Sequence, residues 1–224
     1  MNDVNFITFF NAKEKITSTV HVIGCGAIGS HICEYLARIN TPKIEIWDDD
    51  TVESKNIANQ CYVSTDIGKK KTEVCANRIK DINPECVVTL HDQRWNNQRL
   101  EGYIFMCVDN IDTRKEIVQS CIGNAQVKAI FDFRMELTQA QHYAARTNNL
   151  NEIKKLMDTM DFTHEEAKQN TAVNPCGSTL SIIPTVTTIT SLGIANFINL
   201  LTNKENFVTG LIASPFLTDI MPLQ

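Results

Sequence analysis

The chain has 224 residues, of which 43% are hydrophobic and 21% are charged, a composition that suits one α/β domain with a substantial core. Basic residues number 21 against 26 acidic ones, for a net charge of −5, and the only basic block is the lysine run at 69–71. We therefore expect no nucleic-acid partner. No uninterrupted apolar run approaches the ~20 residues of a membrane span, so we expect no membrane partner either.

Eight cysteines are scattered along the chain without a C-x-x-C pair. Disulfide frameworks and zinc sites usually show paired or regularly spaced cysteines. The scatter therefore predicts free thiols, a cytoplasmic location and no zinc. Several of the cysteines sit among apolar residues at helix or strand spacing and are predicted to be buried, namely Cys33, Cys75, Cys107 and Cys121.

In chain order, short runs rich in β-branched or aromatic residues alternate with amphipathic stretches in the first half of the sequence. Strands are predicted at Val20–Ile23, Lys43–Trp47, Val87–Leu90, Tyr103–Cys107 and Val127–Phe131. Helices are predicted at Ile28–Arg38, Lys69–Ile82 and Thr113–Ile122. This alternation predicts a mostly parallel sheet with helices on both faces.

The second half of the chain departs from this alternation. A polar excursion at Asn148–Asn174 interrupts it and predicts a segment that becomes ordered on binding. The elements predicted here are an antiparallel strand at Glu136–Ala145, helices at Asn151–Met160 and Thr163–Gln169, a closing helix at Pro184–Leu201 and an edge strand at Phe207–Ile212.

The most informative stretch is a glycine-rich turn between the first predicted strand and the first long helix. It reads GCGAIG at 24–29, and the second predicted strand ends on Asp48. Glycines let the backbone turn sharply and approach phosphate oxygens, while the helix that follows offers free N–H groups to them. An acid near this spacing reaches ribose hydroxyls. The alternative is a tight turn that binds nothing. The pattern predicts a nucleotide site formed by Gly24, Gly26, Ala27, Ile28, Gly29 and Asp48.

Further polar residues follow the predicted strand ends or open the next crossover helix. They are Asp50, Asn56, Gln60, Lys71, Asp109 and Asn110. Because the carboxyl ends of parallel strands meet at one edge, we expect these side chains to share a crevice with the turn. A nicotinamide dehydrogenase needs only the turn and one acid, whereas nucleotidyl transfer needs acids and cations to offset the charge that develops as pyrophosphate leaves. The pattern favours nucleotidyl transfer, and hydride transfer stays a minor alternative.

These motifs together resemble the ThiF/MoeB/HesA family, the bacterial relatives of the ubiquitin-activating enzymes. The resemblance rests on GxGxxG, D-x-D-x-V-x-x-x-N-x-x-x-Q, D-x-G-x-x-K and C-x-D-N with a following arginine, between residues 20 and 201. It implies a Rossmann-like doubly wound, mostly parallel sheet with an additional antiparallel part and a crossover loop. It also implies a homodimer that uses ATP and Mg²⁺ to adenylate the C-terminal carboxylate of a ubiquitin-like protein or peptide.

Carried over position by position, the resemblance assigns a role to each polar residue. Asp48 would hold the ribose and Asp109 would be the Mg²⁺ ligand. Lys71 would contact the phosphates, with Asn56 and Gln60 lining the same pocket. The single adenylyltransferase domain then divides into an N-terminal segment (1–18), a nucleotide-binding core (19–147), a crossover loop (148–175), and a closing helix with the C-terminal tail (176–224).

Cys176 lies in the sequence NPCGST, at the end of the predicted crossover loop and just before the closing helix. In the family, a cysteine at the matching place accepts the activated acyl group or carries sulfur. The positive end of a helix favours the nucleophilic thiolate, which supports this role. Cys176 therefore joins Lys71 and Asp109 as a predicted catalytic residue, against the alternative of a helix-entry thiol with no role.

Two departures from the family pattern concern arginines. Asn59 stands where members usually carry an arginine, and the N-terminal segment lacks the arginine that they often supply across the dimer. The replacement would be a lysine, Arg94 or Arg134, although lysine substitutes poorly in two-pronged contacts. The departures favour the alternative of a nucleotide-binding but catalytically weak or inactive scaffold partner of an active relative.

Arg134 itself has two interpretations. It follows the predicted strand Val127–Phe131 at the ligand edge, where it could bind the incoming carboxylate or a phosphate. It could equally pair with Asp132 or Glu136 and serve the fold alone.

Overall fold

The computed structural model describes residues 10–166, 181–202 and 204–223. They form one eight-stranded mixed sheet with helices on both faces, which confirms the predicted α/β class. Its strands are Val20–Ile23 (β1), Lys43–Trp47 (β2), Val87–His91 (β3), Gly102–Met106 (β4), Val127–Met135 (β5), Ala140–Arg146 (β6), Gly210–Ser214 (β7) and Asp219–Pro222 (β8). The α-helices with described bounds are Ala12–Lys15 (α1), Ala27–Arg38 (α2), Lys71–Ile82 (α3), Ile111–Cys121 (α4), Leu150–Asp158 (α5) and Ile183–Thr202 (α6).

The strand order is β3-β2-β1-β4-β5-β6-β7-β8. The pairs from β3 to β5 are parallel, and those from β5 to β8 are antiparallel. The chain winds outward from β1 to β3 and then crosses back to β4, so the order reverses between β1 and β4. A ligand crevice forms outside the carboxyl ends of the strands at such a switch point.

Two apolar cores cover the two faces of the sheet. Helices α2, α3 and α6 pack on one face, where Phe105, Phe131 and Phe197 form the aromatic centre. Helices α4 and α5 cover the other face, together with the buried Trp95. The sheet between these layers is therefore a rigid base for the residues at its edge.

The strand on which Arg134 lies is longer than predicted. The sequence ends it at Phe131, but β5 continues to Met135, and the following strand begins at Ala140 rather than at Glu136. Asp132 and Arg134 interrupt the apolar pattern, so periodicity stops at Phe131. Pairing with the antiparallel β6 extends the strand across both charged residues.

The C-terminal tail contains a strand that the sequence analysis did not predict. The predicted edge strand at Phe207–Ile212 is instead β7 at Gly210–Ser214, and it lies inside the sheet between β6 and β8. The edge position belongs to β8, which is exposed along its whole length. Its four residues show no alternation of apolar and polar residues, so its strand conformation comes from pairing with β7 and not from a buried face.

The predicted closing helix is confirmed as α6, and the helix predicted at Asn151–Met160 is confirmed as α5. By length and composition α6 could cross a membrane, but half of its most apolar stretch is buried, and Val186, Ile189 and Phe197 belong to the core. The predicted helix at Thr163–Gln169 is helical at 164–166, and its remainder lies outside the described residues. The first nine residues of the predicted N-terminal segment also lie outside them.

Candidate functional site

The glycine turn, the end of β2 and the residues after β4 meet at the carboxyl edge of the sheet. The Gly24 N–H donates to the Trp47 carbonyl at 2.8 Å, and the Cys107 N–H donates to the Ile23 carbonyl at 2.8 Å. The turn thus lies at the reversal of strand order. The structure brings Asp48 and Asp109, which follow these strand ends, to the same edge as the turn.

Each glycine of the turn answers a different steric requirement. Gly24 has φ +95°, and a Cβ there would lie 2.8 Å from the Cys107 carbonyl oxygen. A Cβ on Gly29 would lie 1.8 Å from the Gly24 carbonyl oxygen, so only glycine lets α2 pack against the turn. A Cβ on Gly26 would meet nothing within 4 Å. Gly26 is the N-cap of α2, and the open space above it is where a phosphate could approach the backbone.

Asp48 holds the turn in place from the end of β2. Its Oδ2 accepts the Cys25 N–H at 2.6 Å, and its Oδ1 accepts the Asp50 N–H at 2.8 Å. Burial raises the pKa of the Asp48 carboxyl, although these two hydrogen bonds oppose the shift. Each carboxylate oxygen keeps a further lone pair, so a ribose hydroxyl could still donate to Asp48.

Lys71 is the first residue of α3, and its ammonium is buried next to this acidic segment. Its Nζ lies 2.8 Å from Asp50 Oδ2, and its side chain is 8% exposed. Burial lowers the pKa of Lys71, but the hydrogen bond to Asp50 and the charge of Asp48 outweigh burial and raise it. The same hydrogen bond lowers the pKa of Asp50. Lys71 is therefore a fixed cation beside the turn.

Asn56 and Gln60 lie on the loop between β2 and α3. Asn56 is buried in a 3-10 helix, and its Oδ1 accepts the Glu53 N–H at 2.8 Å, so this side chain organises the loop. The Gln60 Oε1 is buried without a hydrogen-bond partner. A buried acceptor without a partner is costly unless a ligand or water pairs with it. Gln60 thus fits a position that contacts a bound molecule.

Asp109 and Asn110 take different places after β4. Asp109 is exposed at the crevice, two residues beyond the Cys107 backbone that contacts Gly24. Asn110 is the N-cap of α4, and its Oδ1 accepts the backbone N–H groups of Asp112 and Thr113. The side-chain oxygen of Asn110 is therefore used to cap the helix, and only its side-chain NH₂ group is left to contact a nucleotide.

The two arginines proposed to replace the family arginines differ in availability. Arg94 is exposed at the crevice, where its Nε contacts both carboxylate oxygens of Asp49, at 3.1 and 3.0 Å. The hydrogen bond to Asp49 raises the pKa of Arg94, and the charges of Asp50 and Asp109 add to this shift. The sequence alone does not predict that Arg94 pairs with Asp49, because 45 residues separate them. Of the two arginines, Arg94 is thus the exposed one, beside the acidic segment at 48–50.

Arg134, in contrast, is used by the fold. Its guanidinium pairs with Asp132 at 2.7 Å and donates to the carbonyl and hydroxyl of Thr159. Arg114 binds the other Asp132 oxygen and the Val108 carbonyl. The structure therefore shows the structural interpretation of Arg134. Sequence reasoning offered the Arg134–Asp132 pair as one interpretation but missed the contact with Arg114, because no local signal joins a strand acid to a helix arginine 18 residues away.

Cys176 lies outside the described residues, so its predicted catalytic role stays a prediction. The closest described residue after it in the chain is Ser181. The Asn59 amide donates to the Ser181 hydroxyl and to its carbonyl at 3.4 Å. Asn59, which replaces the family arginine, thus ties the loop carrying Gln60 to the residues just before α6.

Two acidic features at the crevice could hold a cation. Within the described parts of the chain, Asp48, Asp49 and Asp50 bring three carboxylate oxygens within 4.8 Å of one another. Asp109 is not part of this group. Mg²⁺ usually needs only one or two protein carboxylates when substrate phosphates supply further oxygens, so the exposed Asp109 fits such a ligand.

Curated relatives match about half of the chain. The tRNA threonylcarbamoyladenosine dehydratase of Haemophilus influenzae is 37% identical over 111 residues, 46% of this chain and 42% of the relative. The sulfur carrier protein ThiS adenylyltransferase of Escherichia coli is 29% identical over 141 residues, 55% of this chain and 56% of the relative. The matches span about half the length of these curated relatives.

Solved structures match almost the whole fold. Escherichia coli MccB with MccA-N7isoASN superposes with a TM-score of 0.75 at 17% identity, over 95% of this chain and 66% of that chain. PaaA superposes with a TM-score of 0.74 at 14% identity, over 95% of this chain and 65% of that chain. These likenesses confirm the doubly wound fold with its antiparallel extension. The ThiF family model matches residues 6–219, and the chain belongs to the ThiF family.

Proposed function

We propose that this protein is an adenylyltransferase that activates a carboxylate with ATP. The observation that carries the proposal is a continuous series of contacts from the glycine turn to a buried cation. The Cys25 N–H binds Asp48, Asp48 accepts the Asp50 N–H, and Asp50 pairs with Lys71. Hydride transfer to a nicotinamide does not require a further acid and a lysine beside the phosphates. Nucleotidyl transfer uses such a lysine to offset the negative charge that develops on the phosphates.

The residues present fit ATP. The open space at Gly26 and the free N–H groups at the start of α2 suit its phosphates. Asp48 would accept a ribose hydroxyl, Lys71 would contact the phosphates, and the unpaired Gln60 oxygen would accept a donor. Mg²⁺ on Asp109 would supply charge neutralisation as the substrate carboxylate attacks the α-phosphate and pyrophosphate leaves.

The substrate that we propose is the free C-terminal carboxylate of a ubiquitin-like protein or peptide. The ThiS adenylyltransferase of E. coli supports a sulfur-carrier protein, and the structure of MccB with MccA-N7isoASN supports a peptide-like ligand. Cys176 would accept the activated acyl group, which would then form a thioester as adenosine monophosphate leaves. We also propose a homodimer, as the resemblance implies.

Calorimetry separates this proposal from an NAD-dependent enzyme. We expect wild-type protein to bind ATP in the presence of Mg²⁺ and Asp109→Ala to lose the Mg²⁺-dependent part of the affinity. Asp112→Ala removes an exposed acid three residues further along and should bind like the wild type. Binding of NAD in place of ATP would overturn the proposal, as would ATP binding that Asp109→Ala leaves unchanged.

The second candidate is a nucleotide-binding scaffold partner, and Asn59 favours it. Where family members usually carry an arginine, this side chain is committed to Ser181 and brings no charge. The scaffold would bind ATP in the same calorimetry. It would release no pyrophosphate when a candidate peptide is added, whereas the adenylyltransferase would.

A further inference from the structure

Three cysteine side chains converge beneath the glycine turn. Cys25 lies in the turn itself, Cys33 in the second turn of α2 and Cys75 in the second turn of α3. Their side chains are buried, with relative exposures of 0%, 1% and 3%. None of them belongs to the nucleotide chemistry, because their sulfur atoms point into the core and not into the crevice.

The three sulfur atoms have the spacing of a metal site. All lie within 4.8 Å of one another. A metal–thiolate bond of about 2.3 Å places three sulfurs roughly 4 Å apart around a trigonal centre. Sequence spacing does not reveal the group, because its members come from positions 25, 33 and 75.

The donor set selects the ion. Zn²⁺ at a structural site takes four ligands in a tetrahedron, and among the described residues no fourth His, Cys, Asp or Glu joins these three. Thiolates are soft ligands that favour Cu(I). A three-sulfur site buried from water suits this ion, because it needs no hard oxygen ligand and no bound water.

The surroundings offset the negative charge that three thiolates would carry. Cys25 precedes the N-terminus of α2, which carries a partial positive charge. The Tyr62 hydroxyl lies 3.5 Å from the Cys75 sulfur and donates to the Cys25 carbonyl at 2.6 Å. Arg78 lies one turn after Cys75 on α3. The start of α2 and Arg78 are therefore positive groups near the cluster, while the Tyr62 hydroxyl gives its hydrogen to the Cys25 carbonyl and not to a sulfur.

We infer that Cys25, Cys33 and Cys75 form a trigonal site for one Cu(I) ion. Binding replaces three thiol protons by one metal ion: Cu⁺ and three S–H groups give a three-thiolate complex and three H⁺, with no change in oxidation state. The bound ion would cross-link the turn to α2 and α3. It would thereby brace the phosphate-binding backbone from below, whichever nucleotide the crevice takes.

The test is anaerobic titration of the reduced wild-type protein with Cu(I) in competition with a chromophoric Cu(I) chelator. We expect one Cu(I) per chain to be withheld from the chelator and the melting temperature to rise. Cys25→Ala and Cys75→Ala should each lose this tightly held ion and the rise in melting temperature. Cys121→Ala is the matched control, because it removes an equally buried thiol from the other core.

Three outcomes would overturn the site. One is a wild-type protein that yields all Cu(I) to the chelator. Another is a Cys25→Ala variant that still withholds one ion. The third is stoichiometric Zn²⁺ binding that excludes Cu(I). Comparing each variant with and without metal keeps the test valid where the substitution itself lowers stability. Because the measurement involves no nucleotide, its failure would leave the adenylyltransferase proposal untouched.

Discussion

At the scale of single residues, this protein places charges where the surrounding structure fixes them. Lys71 and Asp132 are both buried, and each has a partner within hydrogen-bond distance. They differ in surroundings: Lys71 borders the open crevice, whereas Asp132 is held between two arginines under the sheet edge. The first charge can therefore act on a ligand, while the second is confined to the fold.

Replacing Lys71 by alanine should weaken ATP binding roughly tenfold to a hundredfold, because a hydrogen bond to a charged group contributes about 1.5–3 kcal/mol. Calorimetry with ATP and Mg²⁺ measures the change. Lys69→Ala removes a neighbouring, exposed lysine and should leave the affinity unaltered. Equal affinities for all three proteins would remove Lys71 from the phosphate site.

Replacing Asp132 by asparagine should lower the free energy of unfolding by about 3–5 kcal/mol, because it leaves the buried Arg114 and the partly buried Arg134 without their counterion. Burial and the charge of Arg134 lower the pKa of Arg114 to about 9, so Arg114 stays protonated at neutral pH and cannot discard its charge cheaply. Urea unfolding gives the difference. The control is Asp158→Asn, an exposed acid on α5, for which we expect less than about 1 kcal/mol.

At the scale of elements, the turn and the helices around it explain why nearby positions respond differently to substitution. Gly29 lies where α2 packs against the turn, whereas Gly26 caps the same helix and faces open space. Asn110 similarly begins α4 with its side chain. Residues at the start of a helix can thus serve either the fold or the crevice. A residue packed against the backbone serves the fold, and one that faces open space is available to a ligand.

Alanine at Gly26 and at Gly29 should therefore give opposite results. Gly29→Ala drives a methyl group into the Gly24 carbonyl, so we expect a lower melting temperature. Gly26→Ala should change the melting temperature little, but its methyl group projects into the phosphate space and should weaken ATP binding. Thermal denaturation and calorimetry on both variants test this. A Gly29→Ala variant as stable as the wild type would contradict the observed packing.

At the scale of the whole molecule, the parallel half of the sheet carries the crevice and the antiparallel half carries the closing helix. His142 joins the two halves from the core. Its Nδ1 lies 3.0 Å from the Asp132 carbonyl oxygen, and its Nε2 lies 3.1 Å from the Asn196 amide nitrogen on α6. The carbonyl requires an N–H at Nδ1, so Nε2 must accept from Asn196, and the ring is neutral.

This neutral histidine should make stability depend on pH. Burial lowers the pKa of His142 from 6.5 to about 3, so between these values the unfolded chain binds a proton that the folded chain does not. Stability is therefore lost as pH falls below about 6.5, by up to about 1.4 kcal/mol per pH unit. Urea unfolding at pH 7 and pH 5 should show a smaller loss for His142→Gln than for wild type.

The control for that comparison is Gln141→Ala, at the neighbouring, partly exposed position of β6, which removes no titratable group. We expect it to keep the wild-type pH dependence over the window assigned to His142. Burial also lowers the pKa of His21, to about 4, so part of the loss will persist in His142→Gln. An unchanged loss in His142→Gln would show that the ring is not held neutral.

The sequence by itself determined the parallel half of the fold, because there each strand is a short apolar run and each helix an amphipathic one. It also determined the family, since the glycine turn and the motifs holding Asp48, Lys71 and Asp109 are local in sequence. Apart from the C-terminal end of β5, the boundaries of these elements agree with the structure within about two residues.

Only the tertiary structure decided the rest, because those features join residues that are far apart in the chain. The extension of β5, the strand β8, the Arg94–Asp49 contact and the Asp132 network all depend on partners supplied by other elements. The cluster of Cys25, Cys33 and Cys75 belongs to the same class. Sequence patterns report which face of an element is apolar, but a contact between two elements exists only once the chain has folded.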